Sequence, residues 1–189
     1  MTYDRIRNDF EGSVIPIETS YMRTYGHFIK YFEEIDTIDI HNLVISSHFV
    51  YGWMPTIIDL NLKRSDEVLM ALNSAKRGKL LSIGELEIVK DCINNSMVGA
   101  SKLLHFINPG VYAIWDSRIF RYLTGKGSTY GIERPTAYLS YLKDLNAVRQ
   151  HEDYPKLHAQ LEEKAKARLT HMRAIEMIMF AKGAREEGK

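Results

Sequence analysis

Apolar residues recur at three- and four-residue intervals along almost the whole chain, and this periodicity restricts it to a helical fold. Met22, Tyr25, Phe28, Ile29 and Phe32 form one such stripe, which Thr19 or Ser20 can cap, so a helix is predicted over 19–34. A second is expected from Ile38 to Tyr51 and halted near Met54-Pro55, because a residue before proline is pushed out of the helical region. The third starts at Ser65-Asp66-Glu67, runs to Ser74 and closes on Lys76-Arg77-Gly78, a basic last turn followed by glycine.

Ser82 and Glu85 have the spacing of a capping box ahead of Ile83, Leu86, Val89 and Ile93, which predicts a helix over 82–95. Short helices follow at 99–107 and from Asp116. Pro135 opens a long one, and Tyr154-Pro155 opens the last, running towards Lys182. The longest stretch with strand character, Val111 to Trp115, is too short to found a sheet, and no internal repeat is present. The expected class is all-α, with about eight helices. A chain of 189 residues, 45% of them hydrophobic, can form one compact domain over 1–189, either as an undivided core or as two helical lobes sharing a cleft. The polar tail 183–189 is expected to fray.

Composition removes several chemistries. The single cysteine, Cys92, excludes an intrachain disulfide, a thiolate zinc site and an iron–sulfur cluster. The seven histidines form no HExxH pattern, so neither metal nor cofactor is expected. No apolar run is long enough for a signal peptide or a membrane span, which makes a reducing cytoplasm the expected location. Net charge is only +1, but its distribution is uneven. Residues 1–97 carry 10 Lys/Arg against 14 Asp/Glu, and residues 98–189 carry 15 against 10. A basic second half permits a phosphate-facing surface.

The segment Val98 to Arg118 places Lys102, an apolar run, Asn108-Pro109-Gly110 and Asp116 close together. Asp116 can be read simply as the N-cap of the helix that follows. A carboxylate in that position is also ionised and rigidly aimed, which suits it to stabilise a sugar oxocarbenium ion and orient a water. Lys102 can neutralise phosphate or, once desolvated, act as an amine nucleophile.

The order of helix, hairpin, Lys102-bearing helix, apolar loop and Asp116-capped helix resembles the helix-hairpin-helix DNA glycosylase superfamily. The phrase carrying the likeness is Ile114-Trp115-Asp116-Ser117-Arg118-Ile119-Phe120-Arg121, and the likeness covers residues 82–125. The hairpin holds one glycine, Gly99, where the family usually has two, and Lys102 lies 14 residues before Asp116, closer than is usual in the family. The resemblance implies a helical fold with a cleft, duplex DNA as partner, Asp116 and Lys102 as catalytic residues, and Gly99 and Ser101 of the hairpin on the DNA backbone. The shortened spacing favours a monofunctional enzyme in which Asp116 works with water.

An extruded base needs aromatic walls and a hydrogen-bonding edge. His48, Tyr51 and Trp53, with Trp115, are the candidates, although aromatic clusters of this kind also serve as core packing. Arg118, Arg121 and Lys126 are the candidate phosphate contacts, Lys126 in a Gly-Lys-Gly turn that lacks the spacing of a P-loop. Along the last helix, Lys164, Lys166, Arg168 and Arg173 alternate with Glu162, Glu163 and Glu176. They read as a solvated face held by i,i+4 pairs, or else as phosphate contacts. The functional expectation is a DNA N-glycosylase acting on a damaged or modified base, in repair or in phage defence. The alternative is a non-catalytic helical nucleic-acid-binding or toxin–antitoxin-like interaction protein in which Asp116 is only a cap.

Overall fold

The computed structural model describes residues 1–13, 20–52 and 57–183. Among these residues there are ten helices and no strand: α1 (Tyr3–Glu11), α2 (Ser20–Glu33), α3 (Ile40–Gly52), α4 (Ser65–Lys76), α5 (Ile83–Cys92), α6 (Met97–Ile107), α7 (Ser117–Thr124), α8 (Pro135–Arg149), α9 (Tyr154–Ala165) and α10 (His171–Lys182). A lone antiparallel bridge joins Leu60 to Ile93. The all-helical expectation holds, but the count exceeds eight for two reasons. Thr2 caps a short N-terminal helix, and the expected last helix is two. Lys166 turns left-handed (φ 51°) and ends α9, the Glu162 carboxylate accepts the Leu169 N–H at 2.9 Å, and Thr170 caps α10. Thr19, Trp53, Pro55 and the tail 184–189 lie outside the described residues.

The expected start signals operate as chemistry. Ser82 and Glu85 form the complete capping box of α5, Pro135 opens α8, and Asp116 caps α7. Helix α6 packs against α2, α3, α4 and α5, whereas α10 packs against α7, α1, α9 and α8, and α5 meets α8 between these groups. No described helix is long and apolar enough to cross a membrane.

The crossing segment between α6 and α7 is extended and buried without belonging to a sheet. Its backbone groups therefore need other partners, and side chains supply them. His105 bonds the Tyr112 carbonyl (2.8 Å), Tyr138 donates to Ala113 O (2.9 Å), and Tyr141 donates to Ile114 O (3.1 Å). Ser101 Oγ accepts the Trp115 N–H at 3.1 Å, and the Trp115 indole donates to Ile132 O at 2.8 Å. This scaffolding delivers Asp116 in one fixed position.

Candidate active site

Asp116 sits at the junction of the buried segment and α7. Its Oδ1 accepts the Ile119 N–H at 2.9 Å, as the capping reading requires. Among the described residues its second oxygen has no hydrogen-bond partner, and the residue is half-buried. The carboxylate is thus pinned by one oxygen and available through the other.

Lys102 is half-buried on α6, and no hydrogen bond or ion pair to a described residue holds its ammonium. Burial pushes its pKa down, while the charges of Asp116 and Glu176 pull it back up and Arg173 lowers it further. The sequence pairing of Lys102 with Asp116 therefore corresponds to an electrostatic neighbourhood in the folded chain, although the two groups do not form a direct salt bridge.

The same neighbourhood contains two residues assigned to a solvated face. Arg173 and Glu176 on α10 are 9% and 1% exposed, so that reading is corrected for both. Helix α10 is apolar on nearly every side (Met172, Ala174, Ile175, Met177, Ile178, Met179) because it runs through the core. Arg173 Nη1 donates to Glu176 Oε2, Arg173 Nη2 approaches Met22 Sδ at 3.7 Å, and the guanidinium lies 5.2 Å from the Tyr25 ring centroid. Among the described residues the buried Arg173 Nε has no hydrogen-bond partner. Burial pushes the Glu176 carboxyl up to about 7 against the pull of Arg173, with Asp116 adding to the rise and Lys102 opposing it.

Tyr25 and His105 complete the cluster. The Tyr25 hydroxyl lies 2.7 Å from His105 Nε2, and His105 Nδ1 faces the Tyr112 carbonyl. A carbonyl can only accept, so Nδ1 carries the hydrogen and Nε2 accepts from Tyr25. Burial holds His105 neutral, with its pKa pushed down to about 3, and raises Tyr25 to about 12. Four ionisable groups from α6, the α7 cap and α10 therefore converge beside a neutral Tyr–His pair. The sequence signal for Arg173 and Glu176 is their position: two charges three residues apart in a helix flanked by Met172, Ala174, Ile175, Met177, Ile178 and Met179.

The other candidates distribute differently. Trp115 is sealed in the core against Phe120 and Tyr141, with ring centroids 5.6 and 5.0 Å away, so it packs instead of lining an open pocket. Ser101 is fully buried and occupied by the Trp115 backbone. Gly99 is buried against Tyr51, whose hydroxyl occupies the space a Cβ would need. The α6 amides nearest the hairpin are also engaged, Met97 N–H by the Glu133 carboxylate and Gly99 N–H by Ser96 Oγ at 3.2 Å. Gly99 and Ser101 are therefore not presented to a DNA backbone. Tyr51 is buried, and His48 is exposed on α3 with Nδ1 2.7 Å from the Val44 carbonyl. Trp53 lies outside the described residues. Arg118 is exposed and stacks on Phe180 at 4.4 Å, Lys126 is exposed, and Arg121 is half-buried. No group of three or more metal-ligating side chains occurs among the described residues.

Comparisons with protein family models, curated proteins and solved structures return no match.

Proposed function

We propose that the protein is a DNA N-glycosylase-like hydrolase in which Asp116 is the catalytic carboxylate. The observation that carries this reading is the state of Asp116: one oxygen tied to the α7 amide, the other without a hydrogen-bond partner among the described residues, beside half-buried Lys102. Cleavage of a glycosidic bond builds positive charge on the sugar, and a fixed carboxylate stabilises that charge without reorganising. The glycosidic C–N bond breaks with its electron pair leaving on the base, water adds to the anomeric carbon, and the proton that this water gives up is taken by the departing base, leaving an abasic site. Arg118, Arg121 and Lys126 supply phosphate contacts, and the substrate is an extruded damaged or modified base in duplex DNA.

The test is incubation with duplexes carrying different modified bases, followed by alkaline cleavage at abasic sites. Asp116→Asn retains a capping side chain and removes the charge, so base release should fall by at least about a hundredfold while the melting temperature hardly moves. Full activity in Asp116→Asn overturns the assignment. Hydrolysis by water predicts no borohydride-trapped adduct, because a Schiff base requires amine attack. An adduct lost in Lys102→Gln assigns a lyase step to Lys102 instead. Release of no base from any duplex leaves the interaction protein as the reading.

A further inference from the structure

At the opposite end of α7 from Asp116, a surface groove of about 680 Å³ is lined by Arg5, Asn8 and Asp9 of α1, Arg121 and Tyr122 of α7, Gly125, and Lys182 of α10. Three of these residues are cations and one is an anion. The anion is already committed: Asp9 Oδ2 accepts the Tyr122 hydroxyl at 2.6 Å and lies 3.9 Å from Arg5 Nε. Arg5 is committed as well, donating to Tyr122 O at 2.7 Å with its guanidinium 4.0 Å from the Tyr122 ring centroid. These bonds fix one wall of the groove.

Arg121 and Lys182 are not committed. Among the described residues neither forms an ion pair, and Arg121 Nε is buried without a partner. The Lys182 ammonium lies over Gly12 at the end of α1, close enough that a Cβ on Gly12 would approach it at 3.1 Å. The groove therefore presents a planar guanidinium fork and a compact ammonium beside the Asn8 amide. Guanidinium groups match phosphate oxygens bidentately, and an ammonium adds a point charge. An unpaired cation held in a partly dry wall is stabilised when an anion arrives, which favours a ligand over an empty groove.

We propose that this groove is a phosphate-binding site, with Arg121 and Lys182 as the principal ligands. Arg121 lies five residues after Asp116 on α7, an axial rise of about 7.5 Å, which sets the groove's guanidinium about that far from Asp116 along the helix. A duplex rises about 3.4 Å per nucleotide of one strand, so the groove accepts a phosphodiester about two nucleotides from a base presented to Asp116. Only this strand path rests on the glycosylase reading. The phosphate chemistry stands on the groove alone.

Two probes separate the sources of phosphate. Inorganic pyrophosphate is titrated calorimetrically into the full chain, and a fluorescent duplex is titrated across a salt series. The variants are Arg121→Gln, Lys182→Gln and the double, with Arg7→Gln as the control because Arg7 pairs with Glu11 elsewhere on α1. The double variant should bind pyrophosphate at least tenfold more weakly, with unchanged melting temperature. On the duplex it should bind more weakly at all sequences and lose about two units of salt slope. Loss of pyrophosphate binding with unaltered duplex binding keeps the phosphate site and makes its ligand a small phosphoester. Pyrophosphate binding absent in the parent protein, or indifferent to both substitutions, overturns the proposal. Base release by Asp116 is scored separately, so either reading can fail without the other.

Discussion

Arg173 and Glu176 are the residues at which charge and burial conflict most sharply. Taking both ions out of water costs several kcal/mol each, and their mutual attraction returns that cost only when geometry and further bonds are favourable. Arg173 Nε has no hydrogen-bond partner among the described residues, so the return is incomplete. The two ions are also unequal: Glu176 can take up a proton when left alone, whereas a guanidinium cannot lose one. Glu176→Met should therefore destabilise by roughly 3–5 kcal/mol, Arg173→Met by less, and the double Met variant should recover to within about 2 kcal/mol of the parent. Urea unfolding of the four proteins checks this, and a double variant as weak as Glu176→Met would show that the pair itself stabilises the fold. If the charges serve the reaction, the double variant should fold well and release base poorly. The Asp116 cap was legible because a cap is local. The fate of Arg173 and Glu176 was not, because an i,i+3 pair looks the same on a wet face as in a core until the neighbours at Met172, Ile175 and Met179 are weighed.

At the level of elements, the legible features were those written within four residues of a boundary, such as the capping box at Ser82, the proline at Pro135 and the basic turn before Gly78. The break between α9 and α10 was hidden, since left-handed Lys166 carries no glycine or proline to announce it and Glu162 makes the closing bond from the preceding turn. The crossing segment 112–115 showed its extended character in the sequence but not its partners, because His105, Tyr138 and Tyr141 lie on helices. The join between α5 and α6 depends on a close approach. A Cβ on Gly99 would collide first with the Tyr51 hydroxyl and then meet Ile93 Cγ2 at 3.0 Å. Gly99→Ala should cost about 1–3 kcal/mol through overpacking. Removing the hydroxyl in Gly99→Ala/Tyr51→Phe should recover part of that loss, a coupling that a double-mutant cycle reads directly. Equal stability of the single and double variants would place the strain elsewhere.

Across the whole molecule, the buried cluster ties α2, α6, the α7 cap and α10 together, and its two strongly shifted groups act on stability with opposite sign. His105 is depressed from 6.5 to about 3, so between those values the unfolded chain binds the extra proton and stability rises with pH. Glu176 is raised from 4.5 to about 7, so between those values the folded chain binds the extra proton and stability falls with pH. The windows overlap from about 4.5 to about 6.5, where slopes of about 1.4 kcal/mol per pH unit cancel. Urea unfolding should therefore give a flat profile across that range, with stability dropping at lower pH as His105 loses its advantage unopposed. Glu176→Gln removes one of the two slopes. Its stability, whatever its absolute value, should rise by roughly 2–3 kcal/mol from pH 4.5 to 6.5. A parent profile that already climbs through this window would mean that Glu176 ionises in the folded chain at an ordinary carboxylate pH. A variant that stays flat would mean that His105 is not held neutral in the core.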